Sequence, residues 1–489
     1  MKMINLKYIV VTLLLGSLVN SSCTDYLTVN PKTEMTQEVL FSTEDGFKDA
    51  LSGVYVQMKA TNLYGSAMTF TTIEQAVSSW DVTANTTESR LGLFNYTDVG
   101  VESSWGTIYQ AEYKVIANIN SILDHIDANK AVFKTPGLYE TIKSECFALR
   151  AYCHLDILRL FGPVPTDVNN GNMLAYVTNF SKTPNTLLPY EAFKEALLRD
   201  LAEAEALTKD MDPFVKFSIE QLRRPDQTAE LIDKDTYLAY RYLRMNYYAV
   251  KALQARAYLW FKNKEKAYEC AKVVIDAKNS DGSVKFRLGT AIDMANKDYV
   301  LTCEHIFGLY DVSLYNKYSG YFANGTLKKS TSATTINSQL FGNVTTDIRA
   351  ANLWELITLT SGAKAYVMKK YQVAQTASSL ATDFKQIPLL RISEMYMIAI
   401  ETAPSAEAQA LWASFRTSRN ISATTLPTDP NLFVNELLKE YRKEFFAEGQ
   451  AFFAYKRLNA VKPNVLFVPA AATINYLIPL PQSETIDLD

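Results

Sequence analysis

Apolar residues recur every three or four positions along most of this chain, and this spacing constrains its fold more than any other feature. Such spacing puts the apolar side chains on one face of an α-helix. It runs from residue 105 to 126, and again from 140 to 161, where Gly162-Pro163 predicts the helix end. Further helices are predicted over 190–207, 235–261, 265–277, 387–402, 407–419 and 431–458, the last interrupted near Gly449.

Several of these helices follow one another closely enough to form antiparallel pairs. Two such pairs are predicted, 235–261 with 265–277 and 387–402 with 407–419. The first pair turns at a short polar segment and carries small side chains at Ala267 and Ala271, which let the two backbones approach closely, as in a tetratricopeptide unit. The chain has only 18 Gly and 16 Pro in 489 residues, too few for a turn-rich all-β protein. We therefore predict a mainly α fold built on a tetratricopeptide-like helix-pair scaffold.

Two long segments, 65–100 and 309–342, lack a helical period and carry aromatic residues among polar ones. Loops of this length in a compact protein are usually functional or disordered, and dense aromatic residues argue against disorder. Tyr and Trp rings stack on the apolar faces of sugars, while neighbouring polar side chains bond the hydroxyl groups. We expect a ligand-binding face here, with candidate residues Trp80, Asp81, Tyr96, Tyr315, Tyr318, Tyr321 and Phe322. The alternative is that these rings only hold the loops on the scaffold.

The N-terminus has the features of an export signal. Lys2 and Lys7 precede a run of twelve uncharged residues, 8–19, which is too short to span a bilayer but suits a signal peptide. Small residues follow, and then Cys23, a position that resembles the lipobox of bacterial lipoproteins, although Asn20 stands where that motif usually has Leu. We predict a signal peptide over 1–22 and a lipid anchor on Cys23. The alternative is a plain secretory signal that is cut near residue 22 and leaves the cysteine unmodified.

Sequence motifs for catalysis are absent. The chain has no GxGxxG, Walker, HExxH or GxSxG motif, and its three His residues are too few for a multi-histidine metal site. Cys146 and Cys153 lie on one predicted helix, about 10 Å apart along its axis and so beyond disulfide reach. The chain has 49 Lys and Arg residues and 52 Asp and Glu residues, so it has no excess of positive charge for binding nucleic acid. We predict no enzymatic activity, no metal, no nucleic-acid partner and no cofactor other than the covalent lipid.

Short segments spread over nearly the whole chain share the motifs of one family. They are CTDYL from Cys23, WGTIYQAEYKVIANI from Trp105, ALRAYCHLDILRLFGPVP from Ala148, LLRISEMYMIAIE from Leu389, FRTSR from Phe415, EYRKEFFAEGQAFFAYKR from Glu440 and YLIPLPQSE from Tyr476. In this order they resemble the RagB/SusD family of nutrient-binding outer-membrane lipoproteins of Bacteroidota. Gln450 and Ala454 depart from the family pattern, where His and Asp are common.

The resemblance implies an architecture and a function. It implies a signal peptide over 1–22, an N-terminal SusD-like region over 23–230 and a C-terminal RagB/SusD region over 231–489, the two regions forming one unit with an irregular, loop-rich ligand face. It also implies a surface-exposed, lipid-anchored protein of the outer membrane that binds an oligosaccharide and delivers it to a SusC-like TonB-dependent transporter without catalysis. The alternatives are a RagB-like lid that binds peptide, and a tetratricopeptide-type scaffold for protein partners.

Several charged residues lie inside the family motifs, and their role must be distinguished from ligand binding. A charged residue that recurs in helix-pair motifs is more often part of an intramolecular ion pair than a ligand contact. We therefore assign Arg150, Arg391, Glu394 and Glu448 to structure.

Overall fold

Helices carry the fold in the part of the chain that the computed structural model describes, residues 36–485 except 182, 232–235, 240, 380 and 381. The predicted signal peptide and Cys23 lie outside these residues. The helices of eight or more residues are α1 Glu44–Met58, α2 Val99–Ile126, α3 Leu138–Phe161, α4 Tyr190–Thr208, α5 Tyr247–Trp260, α6 Lys264–Ile275, α7 Ile392–Thr402, α8 Ser405–Ser418, α9 Pro430–Glu444 and α10 Gln450–Arg457. From α2 to α8 each helix packs on the one before it, so the mainly α, tetratricopeptide-like scaffold is confirmed.

Short elements connect and cover this stack. The short helices are Gln37–Leu40, Thr72–Ala76, Thr87–Leu91, Pro213–Lys216, Ile219–Arg223, Thr236–Ala239, Ala291–Ala295, Leu314–Tyr318, Ile348–Leu353 and Gln482–Thr485. Turns of 3-10 helix span Lys130–Val132, Pro225–Gln227, Arg241–Leu243 and Thr302–Glu304, and π-helical turns span Ser319–Ala323 and Thr335–Leu340.

In the described part of the chain, six strands form three separate antiparallel pairs. They are β1 Leu174–Ala175, β2 Leu187–Leu188, β3 His305–Tyr310, β4 Trp354–Thr358, β5 Lys364–Met368 and β6 Gln386–Arg391. β1 pairs with β2, β3 with β6, and β4 with β5. His305 faces Arg391 in the β3–β6 pair, which joins two segments that are distant in the sequence. A single hydrophobic cluster runs from Phe41 to Ile478 through all these elements.

Helix α3 forms the centre of the molecule. It lies between α2 and α4 and is buried on every side from residue 148 to 161. A polar side chain in such a helix needs a partner, and Arg150 has one: its guanidinium donates to both carboxylate oxygens of Asp200 at 2.7 Å. The helix ends at Phe161, before Gly162, as predicted.

The predicted helix over 235–261 is not continuous, because its first half holds only the short helix Thr236–Ala239 and the 3-10 turn Arg241–Leu243. Helix α5 begins only at Tyr247, and the side chain of Asn246 caps it by accepting a hydrogen bond from the Ala249 N–H at 3.0 Å. The preceding turn holds the fully buried Arg241 guanidinium, which donates to Asp212 at 2.8 Å. A buried guanidinium must keep its carboxylate partners, so this ion pair interrupts the helix that local spacing favours.

The predicted helix over 387–402 also begins too early. Its first residues belong to β6, all of whose side chains are buried, and α7 begins at Ile392. An unbroken apolar run is compatible with a strand that is buried on both faces, and periodicity cannot distinguish it from a buried helix. The segments 65–100 and 309–342, which have no helical period over their length, contain the short helices Thr72–Ala76, Thr87–Leu91 and Leu314–Tyr318.

The predicted interruption near Gly449 is confirmed. Gly449 has a φ of +74° and separates α9 and the turn after it from α10. A Cβ atom here would lie 2.4 Å from the Met68 carbonyl oxygen, so only glycine lets the 66–71 segment approach this closely.

The motif charges form buried ion pairs within the chain, as predicted. Arg391 donates to Glu448 at 2.9 Å, and Arg256 donates to Glu394 at 2.7 Å. The same Arg391 also donates to Glu304, directly before β3, at 2.6 Å, whereas its bond to Glu448 links β6 to the segment between α9 and α10. These residues stabilise the junction of the strands and the last helices.

Candidate functional site

The two aromatic segments that lack a helical period in the sequence meet in one cluster of aromatic rings, which we call the aromatic loop cluster. It consists of residues 66–81 and 314–330. The Trp80 indole N–H donates to the Phe70 carbonyl oxygen at 2.7 Å, and the Trp80 ring lies edge-on to Phe322 with the centroids 5.8 Å apart. Phe70 also contacts Tyr321, with the centroids 5.3 Å apart. Six of the seven predicted site residues, all except Tyr96, therefore fall in these two segments.

An ion pair joins the two segments at the edge of this cluster. The Lys329 ammonium lies 3.0 Å from the Asp81 carboxylate and donates to the Ser78 carbonyl oxygen at 3.1 Å. Burial lowers the pKa of Lys329, while the Asp81 carboxylate opposes this shift. The Asp81 side chain is 46 % exposed, so the carboxylate has a side that is open to solvent.

Three of the predicted ligand rings are buried. Trp80, Tyr318 and Phe322 are 2 %, 7 % and 0 % exposed, so the prediction that these rings are exposed for stacking is wrong. The physical reason is that distant parts of the chain cover them. Phe446 packs edge-on against Trp80 at 5.0 Å between centroids, and Trp354 lies 6.4 Å from the same ring. These three rings hold the loops on the scaffold, which was the alternative interpretation.

Two tyrosines keep partly exposed rings on the surface of this cluster. Tyr315 lies on the short helix Leu314–Tyr318, and Tyr321 lies in the π-helical turn that follows. The exposed amides of Asn316 and Asn324 lie on the same segment. For these two rings and for Asp81, contact with a ligand stays a prediction.

Tyr96 lies in a different place from the other predicted site residues. Its hydroxyl donates to the Asn475 carbonyl oxygen at 2.6 Å. Its neighbour Phe94 packs edge-on against Tyr476. Tyr96 therefore belongs to the contact between the 92–98 segment and the C-terminal segment.

Two concave surfaces were not predicted from the sequence. A cleft of about 310 Å³ lies between α1 and β3 and is lined by Tyr55, Tyr242, Arg244 and Tyr310. A polar groove of about 490 Å³ lies between the 279–303 segment and the residues before β6. Their lining residues come from distant segments, and no local motif marks them.

The described residues contain no group of three or more His, Cys, Asp or Glu that could hold a metal ion. His154 is enclosed and fully paired: its Nε2 accepts from the Val177 N–H at 2.9 Å, and its Nδ1 lies 2.9 Å from the Arg150 carbonyl oxygen. Burial lowers the pKa of His154 to about 3 and that of His305 to about 4. Among the helices described, none has the length and apolar character that crossing a membrane requires.

Similar proteins agree with this fold. A family model described as SusD-like, starch-binding and associating with the outer membrane matches residues 25–259. SusD-like protein P25 of Formosa agariphila is 27 % identical over 151 residues, which are 29 % of this chain and 28 % of that relative.

Solved structures match over almost the whole chain. A SusD homolog from Bacteroides thetaiotaomicron has a TM-score of 0.67 at 16 % identity and covers 93 % of this chain and 97 % of its own. A SusD superfamily protein from the same organism has a TM-score of 0.65 at 20 % identity, covering 91 % and 98 %. A laminarin-binding SusD-like protein has a TM-score of 0.62 at 15 % identity, covering 91 % and 97 %. The helix stack and these matches show that the chain has the fold of the SusD-like proteins, and its residues 25–259 are similar to the SusD-like family model.

Proposed function

We propose that this protein is a lipid-anchored, surface-exposed protein of the outer membrane that binds an oligosaccharide on the aromatic loop cluster and delivers it, chemically unchanged, to a SusC-like TonB-dependent barrel. The family model is described as starch-binding, and one structural neighbour binds laminarin. Both are glucose polymers, so a glucan is the first ligand class to test. The lipid on Cys23 would hold the protein at the membrane.

The observation that carries this proposal is how the two loop segments are held. Buried rings, above all Trp80 and Phe322, hold the two segments on the helical scaffold. The partly exposed rings of Tyr315 and Tyr321 then lie on a rigid support beside exposed amides. A preorganised aromatic surface loses little conformational entropy when a sugar ring stacks on it, and this favours binding.

The experiment is a calorimetric titration of the purified full chain with maltoheptaose and with laminarihexaose, followed by chromatography of the recovered glycan. We expect saturable binding of at least one glycan and its recovery intact. Replacing Tyr315 or Tyr321 by Ala should weaken binding about tenfold, which corresponds to about 1.4 kcal/mol. Tyr139→Ala is the matched control, because Tyr139 is a partly exposed ring at the start of α3.

Other outcomes would decide between the alternatives. Shortened glycan products would replace this proposal with a glycosidase. Binding of a peptide mixture but of neither glycan would favour the peptide-binding lid. Purification of the tagged chain from membranes with a large barrel protein supports delivery to a transporter, and purification with other surface proteins only would favour a protein-interaction scaffold.

A further inference from the structure

The polar groove next to the 279–303 segment has the dimensions of a ligand site. It has a volume of about 490 Å³, and an adjoining cavity of about 630 Å³ shares Asn296, Thr382 and Phe384 with it. None of the aromatic loop cluster residues lines either cavity.

Asp298 lines this groove, and one of its carboxylate oxygens is unpaired. The side chain is buried, and the residue is only 5 % exposed. Its Oδ2 accepts hydrogen bonds from the N–H and the hydroxyl of Thr302, both at 2.8 Å, whereas its Oδ1 has no hydrogen-bond partner in the described part of the chain. Desolvation raises the pKa of Asp298 to about 6. A buried acceptor without a donor is costly, so this oxygen favours a ligand hydroxyl or a water molecule.

Arg223 supplies an unpaired donor on the lining of the same groove. Its Nε is buried and finds no acceptor among the described residues, while its guanidinium lies 4.9 Å from the centroid of the Tyr242 ring. Arg223 also acts electrostatically on Asp298, and its charge opposes the rise in the pKa of that carboxyl. A donor and an acceptor that are both unpaired thus line one groove.

The charges of the groove are balanced. Its lining includes three cations and three carboxylates, namely Arg223, Lys285, Arg287, Glu220, Asp293 and Asp298. Arg287 already pairs with Asp293 at 2.5 Å, and Lys285 donates to the Phe217 carbonyl oxygen at 2.9 Å. With no excess charge, the groove offers no general attraction for an anion or a cation.

We infer that this groove is a second ligand site, which takes an uncharged polyhydroxylated molecule, a saccharide of the same class as the ligand of the loop cluster. A hydroxyl group donates and accepts at once, so it can donate to Asp298 and accept from Arg223. Phe384 and, in the adjoining cavity, Tyr299 offer ring surface for the apolar face of a sugar. The ligand class rests on the proposed function, but the site itself does not use the loop cluster.

A cysteine in the groove makes the inference testable at this site alone. Cys303 lines the groove and is partly exposed, whereas Cys146, Cys153 and Cys270 are buried. Burial raises the pKa of the Cys303 thiol, so alkylation by iodoacetamide is slow and is followed at alkaline pH. The experiment measures its rate in the purified full chain, by peptide mass spectrometry, at increasing maltoheptaose or laminarihexaose. We expect saturable protection of Cys303. Asp298→Asn should raise the half-protecting concentration about tenfold, as loss of a hydrogen bond to a charged group would.

Two further variants complete the design. Arg223→Met tests the second contact and keeps the test decisive if Asp298→Asn does not fold. Asp276→Asn is the control. It removes the same charge from a side chain that follows the end of α6 and is 61 % exposed, so it should leave the protection of Cys303 unchanged.

The outcomes separate this inference from the proposed function. Protection that persists in the Tyr315→Ala and Tyr321→Ala variants supports the groove site. Calorimetric binding that depends on Tyr315 or Tyr321, together with an unchanged alkylation rate, overturns the groove site and leaves the proposed function standing. Protection without any dependence of calorimetric binding on the two tyrosines supports the groove and overturns the loop site. Absence of both protection and calorimetric binding overturns both.

Discussion

Asp81 and Lys329 lie far apart in the sequence, yet their charged groups are 3.0 Å apart and join the two loop segments. The Lys329 side chain is 6 % exposed and the Asp81 side chain is 46 % exposed. The lysine is therefore buried in the aromatic loop cluster, and the aspartate lies at the surface of the cluster. The backbone at Lys329 is held as well, because its N–H donates to the Tyr366 carbonyl oxygen in β5 at 2.8 Å. The loops are thus held by both charge and backbone pairing.

The first prediction concerns the buried and the partly exposed rings of this cluster. Phe322→Ala should lower the free energy of unfolding by about 3–5 kcal/mol, because the ring is fully buried and its loss leaves a cavity. Tyr315→Ala should change stability by about 1 kcal/mol or less, because that residue is only partly buried and its loss leaves no closed cavity. Chemical denaturation of both variants measures the difference, and equal losses in the two would contradict the assignment.

The second prediction concerns the buried charge network at the end of α9. The Glu444 carboxylate accepts hydrogen bonds from three guanidiniums, those of Arg349, Arg391 and Arg419. These cations depress the pKa of Glu444 well below its usual range against the effect of burial. Glu444→Gln should cost about 3–5 kcal/mol at neutral pH, because it leaves buried cations without their shared anion.

The control for this variant lies on the same helix. Glu436→Gln removes the same charge from a side chain that is 33 % exposed and pairs only with Lys439 in the hydrogen bonds and ion pairs of the described residues. Exposed pairs contribute about 0–1 kcal/mol, so this variant should unfold close to the wild type. Urea unfolding curves of the two variants would be expected to separate clearly, and overlapping curves would refute a structural role for the network.

The third prediction concerns pH. Burial raises the pKa of Glu74 from 4.5 to about 7, although hydrogen bonds from Ser79 and the Gly449 N–H oppose the shift. Between these two pKa values the folded protein holds a proton that the unfolded chain releases, so this group makes the protein less stable as the pH rises from about 4.5 to 7. Glu74→Gln should remove this loss and gain about 2–3 kcal/mol relative to the wild type between pH 5 and pH 8.

Thermal or urea unfolding at several pH values measures this difference. The comparison is between the two proteins at each pH, since other groups titrate equally in both. A difference in the free energy of unfolding that stays constant from pH 5 to pH 8 would show that the Glu74 carboxyl is ionised in the folded protein throughout this range.

The fourth prediction concerns the anchor. Cys23→Ser should move the protein from the membrane fraction to the periplasm or the medium, because stable attachment depends on acyl chains that contribute about 0.8 kcal/mol per buried CH₂. Cell fractionation and immunoblotting measure the distribution, in cells that lack the barrel partner so that binding to the barrel does not retain the variant. Retention of the variant in the membrane would contradict lipidation at this residue.

Local signals in the sequence were sufficient to predict most of the helix stack. Helix α3 could be predicted to its last residue because the apolar spacing and the Gly162-Pro163 stop are both local signals. The break at Gly449 was equally readable, since glycine is the residue that adopts a positive φ most easily. Motif charges such as Arg391 were also assigned correctly, because a charge within a helix-pair motif requires a partner in the core.

Only the tertiary structure decided where β6 and α5 begin and which rings are covered. The strand β6 is stabilised by β3, and α5 starts late because Arg241 pairs with Asp212, which are contacts between distant segments. Trp80 and Tyr315 both lie in aromatic, non-periodic segments. Trp80 is buried because Phe446 and Trp354, from distant parts of the chain, pack against its ring. The spacing of apolar residues predicts which face of a helix or strand is buried. The exposure of an aromatic side chain in a loop depends instead on residues that are distant in the sequence.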